Sequence, residues 1–153
     1  MKRYAFLTEM NFSRLKTEIE KARKKEPNLE IIFSSNDDEF NRQVLEKARI
    51  DILLLNLSKR KDFSKQRNSG LNVVFTNIAK KKNIAIGINM NEIRSENKKE
   101  KAEILARIIQ NINLCKKKKV QMKFILEKEV KSTLALKSLG LSLGMPTWMT
   151  KNI

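Results

Sequence analysis

The sequence predicts an α/β fold in which about five βα units build a parallel β-sheet, forming an incomplete or open TIM-like barrel. Three observations predict it. Residues 50–55 and 84–88 are almost continuously apolar, as strands covered on both faces of a parallel sheet should be. Between them Leu71, Val74, Phe75, Ile78 and Ala79 fall at i, i+3, i+4, i+7 and i+8, which places one apolar helix face against that sheet. Finally, a closed eight-stranded barrel usually takes about 250 residues. The 153 residues here form a single domain that supplies only part of one.

The elements follow in order. Tyr4-Ala5-Phe6-Leu7 is a short apolar run, and Asn11 can cap a helix carrying Phe12, Leu15, Ile19 and Ala22. Pro27-Asn28 marks a turn into the β-branched and aromatic segment Leu29 to Phe33. Asn36 with Glu39 gives a capping-box-like helix start, with Phe40, Val44, Leu45 and Ala48 as the buried stripe. After the two central strands, a helix beginning at Asn91 or Lys98 runs to Lys117, with Ala102, Leu105, Ile108, Ile109, Ile112 and Cys115 facing inward. That makes Cys115 a packing residue. Val120 to Leu126 alternates at first and suits an edge strand with one wet face, and a last helix spans Val130 to Leu143 before Gly144 and Pro146.

Composition narrows the function. With 33 Lys+Arg against 17 Asp+Glu, the net charge of +16 attracts polyanions, nucleic acid first. One cysteine permits no internal disulfide, the N-terminus turns polar too soon for a signal peptide, and no apolar run approaches the roughly 18 residues of a membrane span. A reduced cytoplasm, with no membrane partner, is the expectation. The chain contains no histidine, which removes the commonest general base, the usual zinc ligand and every Ser-His or Cys-His pair. Asp37, Asp38, Glu92, Glu127 and Glu129 lie at predicted strand ends and can in principle bind magnesium. Asp37 and Asp38, however, also complement a helix N-terminus, and Glu127 and Glu129 flank Lys128. Four glycines allow neither a phosphate-binding P-loop nor a dinucleotide fingerprint.

The positive signal is the placement of the basic residues. Ser58 to Ser69 carries Lys59, Arg60, Lys61, Lys65 and Arg67 against the single carboxylate Asp62, in a loop leaving the C-terminal end of a strand. That is the face where α/β folds build binding sites. Phe63 inside it either stacks on a base or anchors the loop to the core. Further basic runs, Lys21 to Lys25, Lys80-Lys81-Lys82 and Lys116 to Lys119, end helices and precede strands, so they gather on the opposite rim.

The order Asn36-Asp37-Asp38-Glu39-Phe40-Asn41-Arg42, Ile50-Asp51-Ile52-Leu53, Gly70-Leu71-Asn72-Val73-Val74 and Ala85-Ile86-Gly87-Ile88-Asn89 resembles protein component three of archaeal ribonuclease P, the thirty-kilodalton-subunit family shared with eukaryotes. The similarity covers residues 28 to 93 best and the tail from Leu134 to Pro146 more loosely. The resemblance implies a PHP-type barrel, that of the polymerase and histidinol-phosphatase proteins, which has lost metal catalysis and serves an RNA enzyme; the absence of histidine agrees. It implies a chain with no catalytic residue and no bound cofactor, working in a holoenzyme that removes the 5′ leader of precursor tRNA. Mg2+ belongs to the RNA subunit, and the partners are ribonuclease P RNA, precursor tRNA and other protein subunits, especially a small RRM-like one. Arg42 and the loop from Lys59 to Arg67 correspond to polar and basic family positions near the sheet end, which makes them candidates for RNA or subunit contact. With Phe63 and Lys80, Lys81 and Lys82 from the opposite rim, they form the expected RNA-binding set.

The chain departs from the family in places. Family members carry further βα units before the segment that begins here near Glu26, so the opening of the barrel is missing or compressed into residues 1 to 25, as in a reduced form or a fragment of a longer gene. Asn56-Leu57 and Val73 stand where the family often has a His-Pro-like ending and a histidine, and Glu127-Lys128-Glu129 replaces a small, Ser-rich strand end. Two rival readings remain: a metal-dependent phosphoesterase of the PHP type using Asp51 or Glu127, and a structural scaffold whose open sheet edges pair with another protein.

Overall fold

The computed structural model describes residues 3–94, 97–126 and 132–153. Strands β1 (Tyr4–Thr8), β2 (Glu30–Ser34), β3 (Ile52–Leu55), β4 (Ala85–Asn89) and β5 (Met122–Ile125) alternate with helices α1 (Phe12–Lys25), α2 (Asp38–Lys47), α3 (Val73–Lys82), α4 (Met90–Ile93), α5 (Lys98–Lys118), α6 (Thr133–Ser142) and α7 (Thr147–Thr150). All four pairings are parallel and the spatial order is the chain order, β1 to β5. Consecutive right-handed crossovers in that order put every helix on one side of the sheet, as in a barrel wall. The buried side chains divide accordingly. Ile31, Phe33, Leu53, Leu55, Ile86 and Ile88 pack with helix residues such as Leu15, Val44, Phe75 and Ile108. Ile32, Ile52, Leu54, Ala85 and Ile125 form a second cluster from strands alone. Each fully buried Ile or Leu contributes about 1.5–3 kcal/mol.

The sheet is curled, and a salt bridge measures the curl. Lys123 of β5 is level with Ser34 of β2 through the successive registers, while Glu30 lies four residues further down that strand. On a flat sheet the two backbones would lie about 19 Å apart, from three strand spacings across and four residues along. Lys123 Nζ nonetheless reaches Glu30 Oε1 at 2.8 Å across the concave face. Gly87 permits the curl: a Cβ there would meet Leu54 Cδ1 at 3.0 Å, Ile52 Cγ2 at 3.1 Å and Ile125 Cγ1 at 3.2 Å. Edges β1 and β5 stay unpaired with each other, so the barrel is open as expected, and Tyr4 and Phe6 on the β1 edge are 38% and 51% exposed.

Local chemistry explains the helix starts. Asn11, Asn72 and Asn97 each accept a backbone N–H of the first turn of α1, α3 and α5. The second helix corrects the reading that Asn36 caps it. Asp37 accepts from the N–H groups of Glu39 and Phe40, its charge being the better complement to a helix N-terminus, and Asn36 instead accepts from Asn56 Nδ2 at 2.9 Å. Leu71, the first residue of the expected apolar stripe, lies before the helix, which begins after its cap at Asn72, and Val74, expected inward, is 51% exposed. The long helix also turns differently: Ile104, Arg107, Ile108, Asn111, Ile112 and Cys115 face the core, while Ala102 and Ile109 face out. Cys115 is buried and its thiol pushed up to about 12 by that burial, in keeping with packing. Glu127, Lys128, Glu129 and Val130 lie outside the described residues. No described helix is long and apolar enough to cross a membrane.

If the curl depends on the missing side chain at position 87, Gly87→Val overpacks the concave face and destabilises the fold by about 1–3 kcal/mol. Urea unfolding of the two proteins checks this, and an unchanged midpoint would show that the concave face has room.

Candidate nucleic-acid interface

The connection from β3 to α3, residues 56–72, is much longer than the two to six residues usual between strand and helix. A loop of that length needs partners for its backbone polar groups. Glu92 of α4 supplies two, its carboxylate accepting from the N–H of Leu57 at 2.9 Å and of Ser58 at 3.2 Å. Arg107 of α5 supplies the rest of the base. Its side chain is 2% exposed and donates to Leu57 O at 3.0 Å, Arg60 O at 2.9 Å and Asp62 Oδ1 at 2.9 Å. Asn111, one turn on, donates to Ser69 O at 3.2 Å, and Gln110 to Arg67 O at 3.1 Å. The loop is therefore stitched along its length to one helix.

Arg60 fastens the other side. Its guanidinium makes a fork on Asp38, Nη1 to Oδ2 at 2.8 Å and Nη2 to Oδ1 at 2.9 Å, and also donates to Asn68 Oδ1 at 3.1 Å. Gly70 makes the space: its φ is +70° and a Cβ there would lie 2.5 Å from Arg60 Nη2. Asp62 closes the turn, accepting from the N–H of Asn68 at 2.8 Å, and this bond, then the hydrogen bond from Arg107, holds its carboxyl below the usual carboxylate range.

With its base pinned, the loop turns the remaining basic side chains outward. Lys59, Lys61, Lys65 and Arg67 are exposed, Arg67 also lying 3.4 Å from Asp62. Phe63 is 59% exposed, so it does not anchor the loop in the core, and it borders a cleft of about 660 Å³ with Val73, Val74 and Gln110. Cations flanking an exposed aromatic ring can hold phosphates and stack a base.

The other expected residues are placed elsewhere. Arg42 is exposed on α2 and ion-paired to Glu46 at 3.0 Å, outside the loop's hydrogen-bond network. Lys80, Lys81 and Lys82 end α3 at the opposite rim, the rim on which the basic last turns of α1 and α5 also lie, as their sequence positions imply. Lys82 serves the fold: its amine donates to Leu45 O at 2.8 Å and to Glu46 O and Ala48 O at 3.0 Å, closing the end of α2, and burial lowers its pKa. Lys80 donates to Lys119 O at 3.2 Å, whereas the Lys81 side chain is exposed and bonds to none of the described residues. Arg23 likewise binds Asp51 at 2.8 Å and Arg49 O at 3.1 Å. Among the described residues no group of three or more His, Cys, Asp or Glu side chains is placed to hold a metal ion. Arg107, Asp38 and Glu92 as loop anchors escape a reading that seeks cations in loops, although an arginine inside an otherwise apolar helical stripe is a detectable signal.

Arg107→Met removes a buried donor set while keeping the volume, so it should destabilise the chain by about 3 kcal/mol, since two loop carbonyls and a carboxylate lose their partner. The amide of Asn68 should lose hydrogen-exchange protection in step. A variant as stable and as protected as the parent would show that the loop orders without it.

No protein-family model and no curated protein matches the chain. Among solved structures it is similar to a chain in the cryo-EM structure of archaeal ribonuclease P with mature tRNA, with a TM-score of 0.78 and 22% identity over 97% of this chain. The match covers 62% of that chain, so the present sequence spans less than two thirds of its length. The Salmonella typhimurium RcsB response regulator aligns at a TM-score of only 0.35 and 13% identity over 98% of this chain and 66% of that one. The first similarity shows that this chain's fold is shared with part of that longer chain.

Proposed function

We propose that this chain is a non-catalytic, RNA-binding protein subunit of ribonuclease P that assists the RNA subunit in removing the 5′ leader of precursor tRNA in the cytoplasm. The observation that carries the reading is the pinned basic loop: Arg60 and Arg107 satisfy its interior, while Lys59, Lys61, Lys65 and Arg67 stand ready for phosphates around Phe63. The fold shared with a chain from archaeal ribonuclease P with mature tRNA supports it, as does the net charge of +16. In this mechanism Mg2+ acts at the RNA, and the protein neutralises phosphates that would otherwise repel one another in the active RNA fold. Other protein subunits, a small RRM-like one among them, complete the assembly. The exposed edge of β1, with Tyr4 and Phe6, also favours a scaffold role in which another chain adds to the sheet, and the two roles are compatible.

Reconstitution tests the proposal. Adding the chain to ribonuclease P RNA and the remaining subunits should raise precursor cleavage at limiting Mg2+, and no gain would refute it. Replacing Lys59, Lys61 and Lys65 by Ala should weaken RNA binding and reduce the slope of log K against log salt by about 0.7–0.9 for each phosphate that is no longer neutralised. Arg60→Ala should instead act mainly through stability. An unchanged slope in the triple-lysine variant would place the RNA-binding surface elsewhere.

A further inference from the structure

The rim opposite the loop carries a second arrangement that the loop does not explain. Short helix α7 is held there by Gln121, which precedes β5 and donates from Nε2 to Met149 O. Met149 and Thr150 are buried by this docking, yet Trp148 beside them is 39% exposed. Its indole borders a cleft of about 500 Å³, within the size range of small-ligand sites, together with Lys80, Lys119, Asn83 and Asn152. Two carboxylates line the same cleft, but both are already neutralised, Glu30 by Lys123 at 2.8 Å and Asp51 by Arg23 at 2.8 Å. Lys81 and Lys116, Lys117 and Lys118, next in sequence to the lining residues Lys80 and Lys119, are exposed and form no ion pair with a described residue. Cations in the last turn of a helix complement its dipole, which accounts for basic residues at these helix ends. It does not explain an exposed tryptophan sharing a cleft with Lys80 and Lys119.

We propose that this cleft is a second RNA subsite, in which one unpaired base of a single-stranded segment stacks on Trp148 while Lys80, Lys119 and the lysines ending α5 hold the flanking phosphates. The inference rests on the RNA-subunit reading and adds to it a place for single-stranded RNA at the end of the sheet away from the Lys59 to Arg67 loop. Stacking on aromatic side chains tolerates any base, so the subsite contributes affinity for unpaired RNA rather than sequence choice. Of the cleft's three amides, Gln121 is engaged with the carbonyls of Met122 and Met149, while Asn83 and Asn152 can meet base or ribose edges without imposing one base.

Trp148 is the only tryptophan in the chain, so its emission reports this cleft directly. Titration with a short oligouridylate should quench it, whereas an abasic strand of equal length should bind more weakly and leave it nearly unchanged. Trp148→Ala should lose about tenfold in affinity for the oligonucleotide, as expected when one base–aromatic stack is removed, with its salt slope unaltered. Trp148→Phe should recover most of the affinity and serves as the folded control. Changing Lys116, Lys117 and Lys118 to Ala should lower the slope instead. Binding seen by anisotropy with unchanged emission, or full affinity in Trp148→Ala, would overturn the subsite while leaving the RNA-subunit reading in place. No RNA binding by any probe would overturn both.

Discussion

The guanidinium of Arg107 is the interaction on which the rest of the functional face depends. It is carried on the core-facing side of α5, 2% exposed, and spends its donors on the carbonyls of Leu57 and Arg60 and the carboxylate of Asp62. A buried cation is costly unless its hydrogen bonds are complete. Here that cost fixes a 56–72 connection that would otherwise be a long, polar and conformationally expensive segment. Because Arg107 holds the backbone of Arg60, it also positions the Arg60 fork on Asp38, joining α5, the loop and α2 through two linked guanidinium groups.

This arrangement divides the basic residues into two kinds. Arg23, Arg60, Lys82 and Arg107 fasten the fold itself, their donors going to carbonyls and carboxylates within the chain. The lysines around them remain exposed. A chain with 33 basic residues and 17 acidic ones cannot neutralise itself by pairing, and part of the excess stands in the loop after β3 and in the last turns of α1, α3 and α5. A folded loop also presents its cations with less entropy to lose on binding than a mobile tail would.

The strands and most helices are legible in the sequence because their apolar spacing is direct: residues 50–55 and 84–88 have no alternative to a covered sheet, and a chain this short cannot close eight strands. The errors share one physical origin. Apolar spacing along α5 selects Ala102 and Ile109 and passes over Arg107 and Asn111, because hydrophobicity alone does not register that a neighbouring loop's carbonyls need buried donors. The same blindness counts Arg60 and Lys82 among surface cations, although both face backbone or carboxylate partners. Charge density locates the loop; only its hydrogen bonds separate the cations that build it from those it offers. Phe63 needs the fold as well, since nothing in its sequence neighbours distinguishes an anchor from an exposed ring.

The claim that this pinned loop is an RNA-binding surface is tested most directly by placing a photo-crosslinking amino acid at Phe63 and, separately, at Arg42, in the reconstituted ribonucleoprotein. An RNA-binding loop predicts strong crosslinks to RNA from position 63 and few from position 42 on the outer face of α2. Crosslinks from position 63 to protein subunits alone would contradict it, making the loop a protein-docking surface instead.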